Sequence, residues 1–131
     1  MKRRNAILLF ICGLVVLVGI LTFFLNAGMG EIRRLAINPV DLTGIADGVY
    51  NGSYHKGRWT YDVQVTVRDH KIVAIRNTNR RMEMFKDFNV KAEAAIVKKQ
   101  SLQIDVVSSA TVNTRAFQKA VETALDSAQR K

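Results

Sequence analysis

The chain carries three hydrophobic rhythms in turn. Between Asn5 and Gly30 no side chain is charged, and Ala6–Leu25 is an apolar run of 20 residues interrupted only by Cys12, Gly13, Gly19 and Thr22. A helix of that length rises about 30 Å, the thickness of a bilayer's hydrocarbon core. From Asp47 the period becomes two. Asp47–Tyr54 reads as a short glycine-punctuated strand, and Tyr61, Val63, Val65 and Val67 alternate with polar residues along a second one. Ile72–Ile75 follows after Arg68-Asp69-His70-Lys71, which predicts a tight hairpin with His70 at a positive φ.

Beyond the hairpin the period lengthens to that of a helix. Val90, Ala94 and Val97 recur at helical spacing and predict a helix over Val90–Gln100. Ala116, Phe117, Ala120, Val121, Ala124, Leu125 and Ala128 form one stripe, with Lys119, Glu122 and Asp126 opposite and Asn113 or Thr114 as the cap. The fold class expected is α+β: a small antiparallel sheet packed with two helices, preceded by one N-terminal transmembrane helix. Its parts are a basic arm (1–5), the span (6–25), a linker (26–46) and one domain (47–131). Within the linker, Ile32, Leu35 and Ala36 are expected to extend the helix at the membrane interface, and Pro39 to end it.

Charge orients the anchor. Lys2, Arg3 and Arg4 precede it, so the N-terminus is expected in the cytoplasm and the domain outside it. A cleaved signal peptide is the competing reading, with Gly28-Met29-Gly30 as a weak cleavage site, but the apolar run is long for a signal core. Either way the domain is exported. The only cysteine, Cys12, lies inside the apolar run behind Phe10 and Ile11, which do not make a lipoprotein box. It leaves the domain without a disulfide or a thiolate metal site. Net charge is +9, of which the basic arm supplies three. Export argues against nucleic acid as the partner and leaves solubility, an anionic membrane surface or an anionic ligand.

Candidate chemistry is sparse. His55 and His70 are the only histidines, and both are expected as solvated loop or turn residues. Tyr50, Tyr54, Trp59 and Tyr61 are expected mainly in the core, with flanking a planar ring as the other reading. Asn77–Asn89 mixes Arg80, Arg81 and Lys86 with Met82, Met84, Phe85 and Phe88, which suits a cover for the sheet edge or a ligand wall. No nucleophile–base pair, paired carboxylates or metal cluster is evident, so no catalytic residue and no metal ligand is assigned. Ahead of the last helix, Ser108, Ser109, Thr111, Asn113 and Thr114 crowd into seven residues, followed by Arg115. Hydroxyls and free amides at a positive helix end would seat a phosphate, while a polar helix start with a threonine cap explains the same residues.

The stretch Asp105-Val106-Val107-Ser108-Ser109-Ala110-Thr111, with Val112-Asn113-Thr114 after it, resembles the Asp-x-x-Ser/Thr-Gly/Ser-Ala-Thr segment of FMN-binding domains. These are found in the flavin subunits of the sodium-pumping quinone reductase and Rnf complexes. Asp47-Gly48-Val49-Tyr50-Asn51-Gly52, the Val63–Ile75 hairpin and Gln100-Ser101 resemble further blocks of that family, so the similarity runs from Asp47 to Ala128. Ser109 stands where glycine is common, and Asn77–Asn89 lacks the Glu-Thr-Pro-Gly-like block of many members.

The resemblance implies FMN as the cofactor. It is joined by a phosphoester to Thr111 through a separate flavin transferase, with non-covalent binding as the alternative. Ser108, Ser109 and Ala110 would form the adjoining loop, and Asp105 would open the motif. It further implies a membrane-anchored electron carrier, rather than a self-sufficient enzyme, whose redox partner is a membrane or extracellular protein. A flavin-free binding or sensory module and a small-acceptor flavin reductase are the other readings.

Overall fold

Alternation along the central strand builds the sheet. In the computed structural model, which describes residues 1–79, 86–105 and 111–130, β1 (Gly48–Lys56), β2 (Trp59–Arg68) and β3 (Lys71–Asn77) form an antiparallel sheet in the order β1-β2-β3. Tyr61, Val63, Val65 and Val67 are each no more than 1% exposed, while the residues between them are half-buried. The β2–β3 turn holds Asp69 at φ 51° and His70 at φ 59°. Positive φ at both central residues matches the strand twist, as the sequence predicts for His70. Asp47 Oδ1 accepts the Asp69 amide at 2.8 Å and ties β1's start to that turn.

The apolar face of the sheet carries both long domain helices, α+β as expected. The last helix (Thr111–Gln129) lies along β1 and β2. It begins ahead of Asn113 and Thr114, so neither is its cap: Thr114 is fully buried inside the helix. Glu122, expected on the solvent side, is 2% exposed. The preceding helix (Lys86–Lys99) packs against β3 and starts four residues before the expected Val90. Its buried positions are Asn89, Ala92 and Ile96, whereas Val90 and Ala94 face solvent. The buried stripe is offset from the expected one because Asn89, a polar residue, occupies a core position.

Gln100 ends this helix at φ 52°. Its Oε1 accepts the Ile72 amide, and its Nε2 donates to the Ile72 carbonyl, both at 2.8 Å. One side chain thus supplies β3's outer edge with the pairing of a missing strand, which the edge amides require.

The first helix, α1 (Lys2–Asn26), is apolar beyond its basic first residues, exposed throughout, and the one described helix both long and apolar enough to cross a membrane. A signal sequence meets the same length test. Gly28, at φ 87°, separates it from the short helix α2 (Met29–Arg33). Ile32, expected at the bilayer interface, is instead fully buried in the domain core with Ile45, and Ile37 is nearly so. Polar bonds hold this connector down as well. The Asn38 side chain donates to Glu122 Oε1 at 3.0 Å, Gln103 Nε2 to the Ile37 carbonyl at 2.6 Å, and Gln129 Nε2 to the Asp41 carbonyl at 3.1 Å. The helices of the domain are α3 (Lys86–Lys99) and α4 (Thr111–Gln129) from here on.

Candidate functional site

Two contacts fix the direction of α4 on the sheet. Phe117 meets Tyr61 edge-to-face, with ring centroids 5.8 Å apart. Further along, the backbone of Ala120 and Ala124 crosses Gly52, which pairs with Val63. Moving up α4 therefore moves along β2 away from its first residue. The start of α4 points toward the end of the sheet where β1 turns into β2. A side-chain carbon at Gly52 would lie 2.3 Å from the Ala120 oxygen and the Ala124 nitrogen, so only glycine admits the helix this closely.

Thr111 is the first residue of α4 and is half-buried. Its hydroxyl belongs to the positive end of a helix of 19 residues, where the first amides have no partner within the helix. One turn on stands Arg115. Its Nε is buried and finds no hydrogen-bond partner among the described residues. A buried guanidinium donor without an acceptor is expensive, and an anion at the start of α4 would relieve it. Asp105 is exposed in the segment before the helix. Ser108, Ser109 and Ala110 lie outside the described residues.

The same end of the sheet carries a cleft of about 440 Å³ between the close of β3 and the start of α3. Arg76, Asn77, Asn79, Lys86 and Glu93 contribute its polar lining, and Val90 an apolar wall. Asn77 donates its amide to Glu93 Oε1 at 3.2 Å, yet its own side-chain nitrogen is buried and has no partner among the described residues. Burial pushes the Glu93 carboxyl up from the ordinary range, against the lowering effect of the Asn77 amide. The hydroxyl of Tyr61, in the half of β2 nearer that end of the sheet, is also buried and has no partner among the described residues, and burial pushes its pKa up. Among the described residues, the buried donors of Arg115, Tyr61 and Asn77 thus lack partners, Tyr61 against Phe117 and Asn77 beside Val63 in the strand register. Of the basic, methionine-rich stretch expected as an edge cover or ligand wall, Asn77, Asn79, Lys86 and Asn89 line the cleft, while residues 80–85 lie outside the described ones.

Other expectations sort plainly. Trp59 and Tyr61 are core residues, 5% and 0% exposed. Tyr50 donates its hydroxyl to the Ala46 carbonyl at 2.7 Å, a structural bond. His55, expected to be merely solvated, has Nε2 2.8 Å from Asp62 Oδ1 on the open face of the sheet. Asp62 also accepts from Asn79 Nδ2 at 2.8 Å, so the carboxylate is committed on both oxygens. Strand register makes this pair, since His55 and Asp62 sit diagonally across the β1–β2 ladder. Among the described residues no group of three His, Cys, Asp or Glu side chains is placed to hold a metal.

Residues 56–126 match the family model of the FMN-binding domain. No curated protein matches the chain. Among solved structures, the chain is similar to the crystal structure of the CPE2226 protein from Clostridium perfringens, with a TM-score of 0.54 and 23% identity. The alignment covers 66% of this chain and 90% of that one, a likeness of fold.

Proposed function

From the chain's membership of the FMN-binding domain family, we propose that it is a membrane-anchored flavoprotein that carries FMN as a phosphoester on Thr111 and relays electrons on the extracytoplasmic side. The observation that carries this reading is the pairing of Thr111, the first residue of α4, with the unsatisfied buried Nε of Arg115 one turn later. A hydroxyl and a cation at a positive helix end suit a phosphodiester, which keeps one negative charge after attachment.

FMN, when bound, takes up or gives up one or two electrons. This chain's own residues supply position and field. Thr111 fixes the phosphate end, Arg115 balances its charge, and the cleft bounded by Arg76, Lys86 and Glu93 lies at the same end of the sheet with room for part of a planar ring. Attachment through the phosphate removes the need for a deep pocket or a glycine-rich phosphate loop. The basic arm at Lys2–Arg4 supports a cytoplasmic N-terminus, and α1 then delivers the domain to the opposite side. Expression with a flavin transferase, followed by in-gel fluorescence of the denatured chain, tests the reading. The wild-type band is expected to fluoresce and the Thr111→Ala band to be dark.

A further inference from the structure

The last turn of α1 does not end in free space. A side-chain carbon at Gly57, in the β1–β2 turn, would sit 3.6 Å from the Ala27 carbonyl oxygen. One at Gly28 would meet the Lys56 side chain at 3.1 Å. Lys56 Nζ and Glu31 Oε2 lie 2.8 Å apart, closing the same junction. Among the described residues, the β1–β2 turn therefore lies against the end of the span. It is also the end toward which α4 points its N-terminus, as the Phe117–Tyr61 and Ala124–Gly52 contacts require.

Charge is arranged to match. Arg33 and Arg34 follow α1 by less than ten residues and are exposed. Arg58, in the β1–β2 turn, is exposed with its guanidinium 4.7 Å above the Trp59 ring. The acidic groups nearby are already occupied, Glu31 by Lys56 and Asp62 by His55 and Asn79. Among the described residues, Arg33, Arg34 and Arg58 have no acidic partner and lie immediately beside the span, open to an anionic one.

We propose that the Thr111 end of the domain faces the bilayer, with Arg33, Arg34 and Arg58 seated on anionic lipid headgroups of the membrane that holds α1. The orientation follows from the junction itself, while its consequence for the flavin rests on Thr111 being the attachment site. Basic side chains beside a span gain from the negative surface potential of anionic lipid, and the gain fades with salt. Seated this way, the domain holds its cofactor end at the membrane surface, and its β2–β3 turn, with Asp69 and His70, faces away from the membrane.

Trp59 is the only tryptophan of the chain and lies beside that turn, so it reports the contact without any flavin. The full chain, made without flavin transferase, is reconstituted in phosphatidylcholine vesicles with or without phosphatidylglycerol, each carrying a headgroup-nitroxide lipid as quencher. Trp59 is expected to be quenched more strongly than a tryptophan at the far turn (Trp59→Phe with Lys71→Trp), and most strongly with phosphatidylglycerol present. Substituting Arg33, Arg34 and Arg58 together with glutamine is expected to remove most of the phosphatidylglycerol-dependent quenching, as is salt near 1 M, where the Debye length falls to roughly 3 Å.

Equal quenching at positions 59 and 71 overturns the orientation. So does an unquenched Trp59 when a tryptophan placed in the span (Trp59→Phe with Phe24→Trp) is quenched. Quenching indifferent to lipid charge, salt and the three arginines overturns the headgroup contact. None of these readings depends on flavin, so a dark band in the fluorescence experiment rejects the attachment and leaves the orientation to be judged separately.

Discussion

The backbone of Ala124 lies so close to Gly52 that a methyl group there would sit 2.3 Å from the Ala124 nitrogen. This contact sets the height of α4 above the sheet and so the position of Thr111 at its start. Gly52→Ala forces the helix outward. The expected loss is about 1–3 kcal/mol of stability or more, in line with other overpacked cores, read as a lower denaturation midpoint. Flavin attachment is expected to fall with it.

Arg115 offers the opposite case, a residue that matters to the site and little to the fold. Its Nε has no partner to lose among the described residues. Arg115→Gln is expected to leave the melting temperature almost unchanged while slowing flavin attachment by roughly tenfold, the scale of one charge-assisted hydrogen bond. Time courses of in-gel fluorescence, set beside thermal melts, separate the two effects.

The edge of β3 depends on one amide side chain. Gln100→Ala leaves the Ile72 amide and carbonyl without their 2.8 Å partners. A loss of about 1–3 kcal/mol is expected. Faster hydrogen exchange at Ile72 checks that the damage is local.

Glu93 gives a pH dependence with a definite sign. Burial raises its pKa above the ordinary carboxylate value, so the folded state holds its proton more tightly than the unfolded chain does. Its contribution to stability is full below about pH 4.5 and is lost as pH rises through the raised folded value. Glu93→Gln is expected to flatten this part of the stability profile and to be no less stable than wild type at pH 7. Denaturant midpoints measured across that window decide it.

Much of the sheet was legible because burial on one face imposes strict alternation, as in Tyr61–Val67. The turn at His70 was legible because few residues tolerate a positive φ. The buried polar residues were not. Glu122 looks like a surface position until Asn38 and Lys119 are seen to meet it at 3.0 and 3.1 Å. Asn89 likewise hides the true stripe of α3. Ile32, Ile37 and Ile45 carry no period at all, and only the folded chain shows that they fill one core. At the candidate site, the motif singles out Thr111, and the structure places it at the start of α4. The unpartnered nitrogen of Arg115 and the His55–Asp62 pair needed register and burial, which no local pattern encodes.

The connector also has a measurable role. Glu122→Ala removes the acceptor for Asn38 and Lys119 from a site only 2% exposed. A cost of about 1–3 kcal/mol is expected, together with earlier proteolysis between Leu35 and Asp41. Limited proteolysis of wild type and variant reads this out.

Intact mass with peptide mapping decides whether Thr111 carries the flavin. The chain expressed with a flavin transferase is predicted to gain the mass of one FMN less one water, located on the peptide that contains Thr111. Thr111→Ala is predicted to remove that gain. A wild-type chain of unmodified mass, or a gain that persists in Thr111→Ala, would contradict it.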